Sequence, residues 1–255
     1  MTLGLPLSTL WAFLLVLARV AGLVAFLPVP GFRAAPDSVR IVLTLSLTFA
    51  LFPVWPALPN ASPSMAQLTI WGFSEAGFGL VIGLAVGFLT EAFQVAAQIA
   101  GLQAGYGYSV TVDPTSQADS GVLQVILLLT TGLLFFALGI DRDLIRVLAA
   151  SFEKFPAGSW APTAQSLDGV LKLGGGMFAT GLRLAWPIVA LLLLIDVALA
   201  LLGRMQQQLQ LLSLAFPVKM LATLAILTAL APQLPKLFSA GAERTLTVLW
   251  RSLGF

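Results

Sequence analysis

Six long apolar runs follow one another along the chain. They occupy residues 5–27, 39–58, 68–100, 122–140, 170–202 and 209–230. Each reaches or exceeds the length of about 20 residues that an α-helix needs to cross a bilayer. Proline follows the first and last runs, at Pro28 and Pro232, and it cannot continue a helix. The pattern predicts an all-α protein of the integral-membrane type with about six helices.

The third run carries glycine at a four-residue spacing, at Gly79, Gly83 and Gly87. Small residues at this spacing share one face of a helix and let a second backbone approach closely, which is how helices associate in lipid. The alternative is that these glycines are tolerated filler in an apolar helix. We favour close packing of this face against another helix.

A polar, glycine-rich segment interrupts the apolar pattern at residues 101–121, GLQAGYGYSVTVDPTSQADSG. Its peptide groups cannot face lipid unpaired, so at membrane depth the segment must be buried in protein or line a wet cavity. Glu91, Gln94 and Gln98 precede it on one side of the predicted third helix and are expected to point into the same cavity. The segment is therefore the first candidate for function.

Ionisable residues lie inside the apolar runs, where they are costly and usually face a partner or a cavity. They are Arg19, Glu75, Glu91, Arg183, Asp196 and Lys219. A proton or ion pathway would use such groups, and so would plain ion pairs between helices. Glu75 and Glu91 do not share a helix face, and neither do Arg183 and Asp196. No acid–base pair is therefore evident, which disfavours a pump.

The most polar long connection, residues 141–173, carries two further predictions. Residues 141–155, DRDLIRVLAASFEKF, place apolar side chains at helical spacing with charges opposite. This predicts an amphipathic helix that lies on the surface or binds a partner. Residues 156–166, PAGSWAPTAQS, contain several Pro, Ser and Thr residues and predict an exposed loop.

Composition narrows the class of protein. Of the 255 residues, 58% are hydrophobic and 9% are charged, whereas soluble domains carry about 25% charged residues. The chain has neither Cys nor His, which excludes disulfides, thiolate or imidazole metal sites and Ser-His-Asp catalysis. No carboxylate cluster is spaced for a metal, and no cofactor is expected. A net charge of +2 does not favour nucleic acid as a partner.

Several sequence blocks, in this order along the chain, resemble the FliR family of type III export-gate subunits. They are ARV with LPVPGFRAAPDSVRIVLTLSLTFALFP, then GLQAGYGYSVTVDP and SFEKFPAG, then LALLGRMQQQLQLLSLAFPVKM. The resemblance covers essentially the whole chain. The VDP and SFEKFPAG features favour the flagellar branch over the related virulence-type secretion branch.

This resemblance implies a subunit of a protein-conducting pore, without enzymatic activity, in the bacterial inner membrane at the flagellar basal body. The implied partners are FliP-like and FliQ-like subunits, a FlhB-like subunit, unfolded export substrates and membrane lipid. The implied fold is a helical-hairpin protein like a fusion of two sister subunits. Residues 1–169 would form the FliP-like part and residues 170–255 the FliQ-like part of a single export-gate domain.

The resemblance also assigns residues 101–121 as a plug loop across the closed pore. Its candidate residues are Gly101, Gly105, Tyr106, Gly107, Tyr108, Asp113 and Pro114. The charged residues of the apolar runs are expected to pair across subunit interfaces. The interface candidates are Glu75, Glu91, Arg183, Asp196, Arg204, Phe216, Pro217 and Lys219. A glutamine cluster beside Arg204, residues 206–208 and 210, fits either a hairpin tip that pairs with neighbouring hairpins or a solvated turn.

Three alternatives stand beside this assignment. The first is the homologous subunit of a virulence type III secretion system. The second is a stand-alone secondary transporter, with Glu91 and Asp196 as coupling sites, whose purified chain would take up a substrate by itself. The third, an intramembrane enzyme, is disfavoured because the chain has no nucleophile-base or metal constellation.

Overall fold

A computed structural model describes residues 6–29, 36–56, 58, 63–106, 121–205 and 211–252. Within these residues every regular element is helical, and there is no strand. The α-helices are α1 (Leu7–Val24), α2 (Asp37–Ala50), α3 (Met65–Ala104), α4 (Val122–Ala137), α5 (Ile140–Lys154), α6 (Ala164–Met205), α7 (Leu211–Leu230) and α8 (Leu234–Ser252). Short 3-10 turns follow α2 at Phe52–Val54 and α7 at Ala231–Gln233. The predicted all-α fold is confirmed.

The lengths of the helices correct the expected number of membrane spans. In the described part of the chain, four helical stretches are long and apolar enough to cross a membrane. They are Leu7–Val24, Met65–Ala104, Ala164–Met205 and Ala215–Arg251. The second apolar run is too short, because α2 has only 14 residues, roughly 21 Å of helix, before a 3-10 turn that contains Pro53.

A bend divides the fourth apolar run from the helix that follows it. The axes of α4 and α5 differ by 61°, and the two helices count as a fifth span only if they are taken together. Gly139 lies between them with φ +73°, in the left-handed region that glycine adopts without steric cost. The bend therefore depends on a residue without a Cβ atom.

The chain divides into two compact units. Unit 1 comprises Met1–Phe88, Phe135–Leu173 and Ala242–Phe255, and unit 2 comprises Leu89–Leu134 and Gly174–Gly241. Buried residues of unit 1 include Val16, Val20, Phe78 and Leu148; those of unit 2 include Phe93, Leu123, Leu192 and Phe238. Each unit combines segments that are far apart in the sequence. The predicted boundary at residue 169 separates a FliP-like part from a FliQ-like part, which is a different division from the two compact units. It stays a prediction.

In unit 1, α1 and α3 pack at backbone distance along the glycine face. A Cβ atom on Gly79 would overlap the carbonyl oxygen of Arg19. A Cβ atom on Gly83 would lie 2.6 Å from the carbonyl oxygen of Leu23, and the contact continues at Gly87. Because the contacts advance in the same direction along both helices, α1 and α3 run parallel. The predicted close packing of this glycine face is confirmed.

The amphipathic helix α5 buries its apolar face within unit 1. Leu144, Val147, Leu148 and Phe152 are all buried. Of the two predicted alternatives, a helix on the surface fits the exposed Arg142 and Arg146, whereas an apolar face that binds a separate partner is wrong, because the chain's own core covers it. Helical periodicity identifies an apolar face but does not say which surface it packs against.

The connection after α5 is largely exposed, as predicted, but it contains a buried aromatic residue. Trp160 is buried, and its ring meets that of Phe78 edge-on, with 5.5 Å between the ring centroids. The Ser74 hydroxyl donates a hydrogen bond to the Trp160 carbonyl oxygen. A Cβ atom on Gly158 would overlap the ring of Trp71. Turn-forming composition predicts the exposed, irregular backbone, whereas it does not predict the aromatic contacts with α3 that bury Trp160.

Candidate functional site

The candidate segment at residues 101–121 begins as helix. Gly101–Ala104 form the last turn of α3, and Gly105 follows with φ +87°. The Gly105 N–H donates to the Leu102 carbonyl oxygen at 3.2 Å, and the Tyr106 N–H donates to that of Gly101 at 3.0 Å. This pair of bonds is the Schellman motif, which satisfies the last carbonyl groups of a helix and favours glycine at its left-handed position. The non-helical segment therefore starts later than the composition suggested.

Residues of α7 hold this helix end in place within unit 2. The Tyr106 hydroxyl donates to the Met220 carbonyl oxygen at 3.1 Å. A Cβ atom on Gly105 would lie 2.6 Å from the Phe216 ring, so only glycine allows this approach. Burial raises the pKa of the Tyr106 hydroxyl above its ordinary value, and the group remains a hydrogen-bond donor at neutral pH.

A polar cluster joins the same end of α3 to α6 and α7. The Gln103 amide nitrogen donates to the Asp196 carboxylate at 3.3 Å, and Asp196 forms an ion pair with Lys219. The Lys219 side chain is 16% exposed and that of Asp196 39% exposed. The sequence predicts that Asp196 and Lys219 pair with charges of other subunits. This is wrong for these two residues, because they pair with each other within one chain.

The remaining candidates fall into three groups. Gly107, Tyr108, Asp113, Pro114 and the glutamines at 206–208 and 210 lie outside the described residues. Arg183, Arg204 and Pro217 are exposed, whereas Glu91 and Phe216 are half-buried. Their role at subunit interfaces stays a prediction.

The polar stripe on α3 does not act as a unit. With its amide oriented to satisfy both groups, Gln94 donates to the Gln124 carbonyl oxygen at 3.1 Å and accepts from the Leu128 N–H at 2.8 Å. Gln98 is exposed. The expectation that the stripe points into one cavity is therefore wrong for Gln94, whose amide binds the backbone of α4.

A second charged cluster is buried in unit 1, around Arg19. Its guanidinium donates to Glu75 at 2.5 Å, to the Ser151 hydroxyl at 2.8 Å and to the Phe155 carbonyl oxygen at 3.1 Å. The Arg19 and Glu75 side chains are fully buried. The second carboxylate oxygen of Glu75 accepts from the Gly158 N–H at 2.8 Å. Every partner named here belongs to this chain, so Glu75 does not meet its countercharge across an interface.

Aromatic rings complete the surroundings of this buried cation. The Arg19 guanidinium carbon lies 4.5 Å from the centroid of the Phe78 ring and 4.2 Å from that of Phe152. Cations are attracted to the faces of aromatic rings, and more strongly when both are desolvated. Ion pairing, hydrogen bonds and ring faces together compensate the cost of burying the charge.

Sequence reasoning identified Arg19 and Glu75 as unusual charges but missed their pairing. A usable signal was present, since opposite charges lie beside the glycines that bring α1 and α3 together. The roles of Ser151 and of the Phe155 and Gly158 backbone had no such signal, because any residue supplies a carbonyl oxygen or an N–H group.

The described residues of the site form ion pairs between helices. Among the described residues, no group of three or more acidic, His or Cys side chains could hold a metal ion. Ion pairs between different helices include Arg19 with Glu75 and Asp196 with Lys219. Such pairs stabilise and position helices.

Long apolar helices, close glycine contacts and charges paired between helices together define a helical membrane protein. This is the class to which fold and site assign the chain. The chain belongs to the family of bacterial export proteins, family 1, whose model matches residues 10–245. Together with the relatives described next, this match confirms the predicted membership of the FliR group of type III export-gate subunits.

Relatives of known identity match over most of their length. The chain is 31% identical over 217 residues to the flagellar biosynthetic protein FliR of Escherichia coli K12, covering 85% of this chain and 82% of the relative. It is 24% identical over 219 residues to FliR of Bacillus subtilis, covering 85% and 84%. It is 27% identical over 226 residues to the surface presentation of antigens protein SpaR of Salmonella typhimurium, covering 86% and 82%. The protein is thus a flagellar or type III export protein, a transport component and not an enzyme.

Proposed function

We propose that this chain is the FliR subunit of a flagellar type III export gate in the bacterial inner membrane. It forms the protein-conducting pore together with FliP-like and FliQ-like subunits, beside a FlhB-like subunit, and closes the pore with the segment at residues 101–121. The flagellar branch is favoured by the VDP and SFEKFPAG blocks of the sequence and by the 31% identity to the E. coli flagellar protein. The family membership also argues against the stand-alone transporter.

The observation that carries this proposal is the anchored end of α3. A closing segment needs a fixed root and a body that can be displaced. The root is supported by the Schellman motif at Gly105 and by the bond from Tyr106 to α7. The residues that follow, 107–120, contain Gly, Ser and Thr and no basic residue. Such side chains form only weak interactions with an apolar wall.

The apolar surface of the later helices supports a place among lipid and partner subunits. Of the most apolar stretch of α3, 61% is buried, against 17% for α6 and 6% for Ala215–Arg251. Exposed apolar area on this scale marks a membrane or protein interaction surface. FliP-like and FliQ-like helices and lipid chains are the partners proposed for it.

The test is removal of the closing segment from the complete export apparatus. In one variant, residues 107–120 are replaced by a short Gly-Ser linker, which leaves Gly105 and Tyr106 in place. Cells that make this variant should admit a small membrane-impermeant dye, while the subunit still co-purifies with its FliP-like and FliQ-like partners. The measurement is the rate of dye entry per assembled complex.

A matched control keeps the length of the segment but replaces residues 107–120 entirely with Gly and Ser. It separates closure by bulk and length from closure by particular side chains, since both variants lack Tyr108 and Asp113. An assembled complex with the shortened segment that admits no more dye than the unaltered complex contradicts the proposed plug.

A further inference from the structure

Three contacts between different helices meet within one turn of the end of α3. Gln103 binds Asp196 on α6, Tyr106 binds the Met220 carbonyl oxygen on α7, and Asp196 binds Lys219 on α7. All of these residues belong to unit 2. The carboxylate of Asp196 is shared, because it accepts from Gln103 with one oxygen and pairs with Lys219 through the other.

Both members of the ion pair belong to apolar helices. Ala164–Met205 and Ala215–Arg251 are both apolar enough to span a membrane, and Asp196 and Lys219 fall within them. In surroundings of low dielectric constant an ion pair is stronger than in water, and loss of one partner leaves a costly charge. The pair therefore fixes α6 against α7 at the level where both receive the end of α3.

We infer that Gln103, Asp196 and Lys219 form an ionic latch that positions the root of the closing segment. The inference rests on the proposed function and adds the residues on which closure depends outside the segment itself. The latch holds α3 against both helices, and Tyr106 and Gly105 lie directly after it. A change in the pairing of α6 with α7 would therefore displace the residue from which the segment starts.

The latch residues act indirectly: they position the end of α3, from which the closing segment starts. A purely structural pair would lower assembly when broken and leave the barrier of assembled complexes intact. A latch would instead leave assembly largely intact and raise leakage. The ratio of dye entry to assembled complex distinguishes the two roles.

The experiment compares single and exchanged charges in the complete apparatus. Asp196→Asn and Lys219→Met each break the ion pair. The double variant D196K/K219D restores it with reversed polarity, and the Gln103 amide can then accept a hydrogen bond through its oxygen. Lys172→Met is the control, because it removes a charge whose side chain is 72% exposed from the helix that also carries Asp196.

Each single variant should raise dye entry per assembled complex by about tenfold, a shift typical of losing one charge-assisted contact. The double variant should return it to within about twofold of the unaltered complex, and Lys172→Met should leave it unchanged. If the single variants do not assemble, Gln103→Leu tests the same latch without adding or removing a charge. It should then leak by a smaller factor.

The outcomes separate this inference from the proposed function. If the shortened segment leaks and none of the assembled latch variants does, the latch is wrong and the plug stands. If the single variants leak and the exchanged pair leaks equally, pairing is not the cause and the latch is again wrong. If the shortened segment itself does not leak, the proposed closure and the latch both fail.

Discussion

At the scale of single residues, the guanidinium of Arg19 connects more of unit 1 than any local pattern indicates. It binds Glu75 on α3, Ser151 on α5 and the backbone at Phe155. A guanidinium carries several N–H donors in a rigid planar fork, whereas an ammonium group is a compact point charge. The cluster therefore requires arginine and not merely a positive charge.

Arg19→Lys tests this requirement with the charge conserved. The lysine cannot reach three acceptors in different directions, so buried groups lose their donors. We expect a loss of about 1.5–3 kcal/mol in stability, the range for a hydrogen bond to a charged group. The measurement is the unfolding midpoint of the solubilised complex.

Arg146→Lys is the matched control. Arg146 pairs with Asp143 at 3.1 Å, and its side chain is 78% exposed. Exposed pairs contribute little to stability, so the midpoint should hardly move. Equal effects of the two substitutions would show that the buried geometry of Arg19 has no special importance.

At the scale of elements, the parallel packing of α1 on α3 depends on missing side chains. At Gly79 and Gly83 the backbone of α1 comes too close for a Cβ atom on α3. At Gly22 the Ala76 backbone of α3 likewise comes too close for a Cβ atom on α1. In lipid, helices gain from this approach through van der Waals contact, since the bilayer supplies no hydrophobic drive between them. The same approach brings Arg19 within reach of Glu75.

Gly79→Ala should destabilise the pair of helices, and Gly72→Ala should not. The new Cβ atom at position 79 overlaps the Arg19 carbonyl oxygen, and such overpacking costs about 1–3 kcal/mol. Position 72 lies on the same helix with no atom within 4 Å, and alanine there should stabilise the helix by up to about 1 kcal/mol. Unfolding midpoints of the two variants should thus move in opposite directions. A shift in the same direction for both would contradict the contact.

At the scale of the whole molecule, the later helices expose many large apolar side chains. Exposed large residues on α6 include Leu182, Trp186, Leu193, Leu194 and Leu201. By contrast, the charges of Asp196 and Lys219 are paired inside the chain. The exposed apolar surface is suited to lipid and to other apolar helices, because Asp196 and Lys219 already neutralise each other.

Co-expression with FliP-like and FliQ-like subunits should therefore change the behaviour of the purified chain. We expect the chain made alone to form a heterogeneous, aggregating sample in detergent, because its apolar faces lack their partners. Made with its partners, it should elute as a single species of larger mass. Size-exclusion chromatography with mass measurement checks this, and co-expression with an unrelated membrane protein is the control. A monodisperse lone chain would contradict the expected dependence on partners.

Much of the architecture could be predicted because it follows from local pattern. Each apolar run contains a helix, since the spacing and length of apolar residues favour one regardless of what surrounds it. The glycine face of α3 was predictable because three small residues at one spacing have a single geometric consequence. The count of spans was not predictable, because α2 ends early and Gly139 turns the chain between α4 and α5.

The candidate site was predictable only in outline. Composition alone identified residues 101–121 and the isolated charges Arg19, Glu75, Asp196 and Lys219. It did not predict that α3 continues to Ala104, or that Gly105 needs to lack a Cβ atom because of Phe216. A helix end depends on which bonds and contacts stabilise the last turn.

By itself, then, the sequence determined that this is a helical membrane protein, where its helices lie, and which charges and glycines stand out in them. Those properties depend on residues within a few turns of one another. Tertiary structure decided that Arg19 meets Glu75 and that Asp196 meets Lys219. It also decided that the apolar face of α5 is covered by the chain itself. The partners in these contacts are far apart in sequence, and only the folded backbone brings their side chains together.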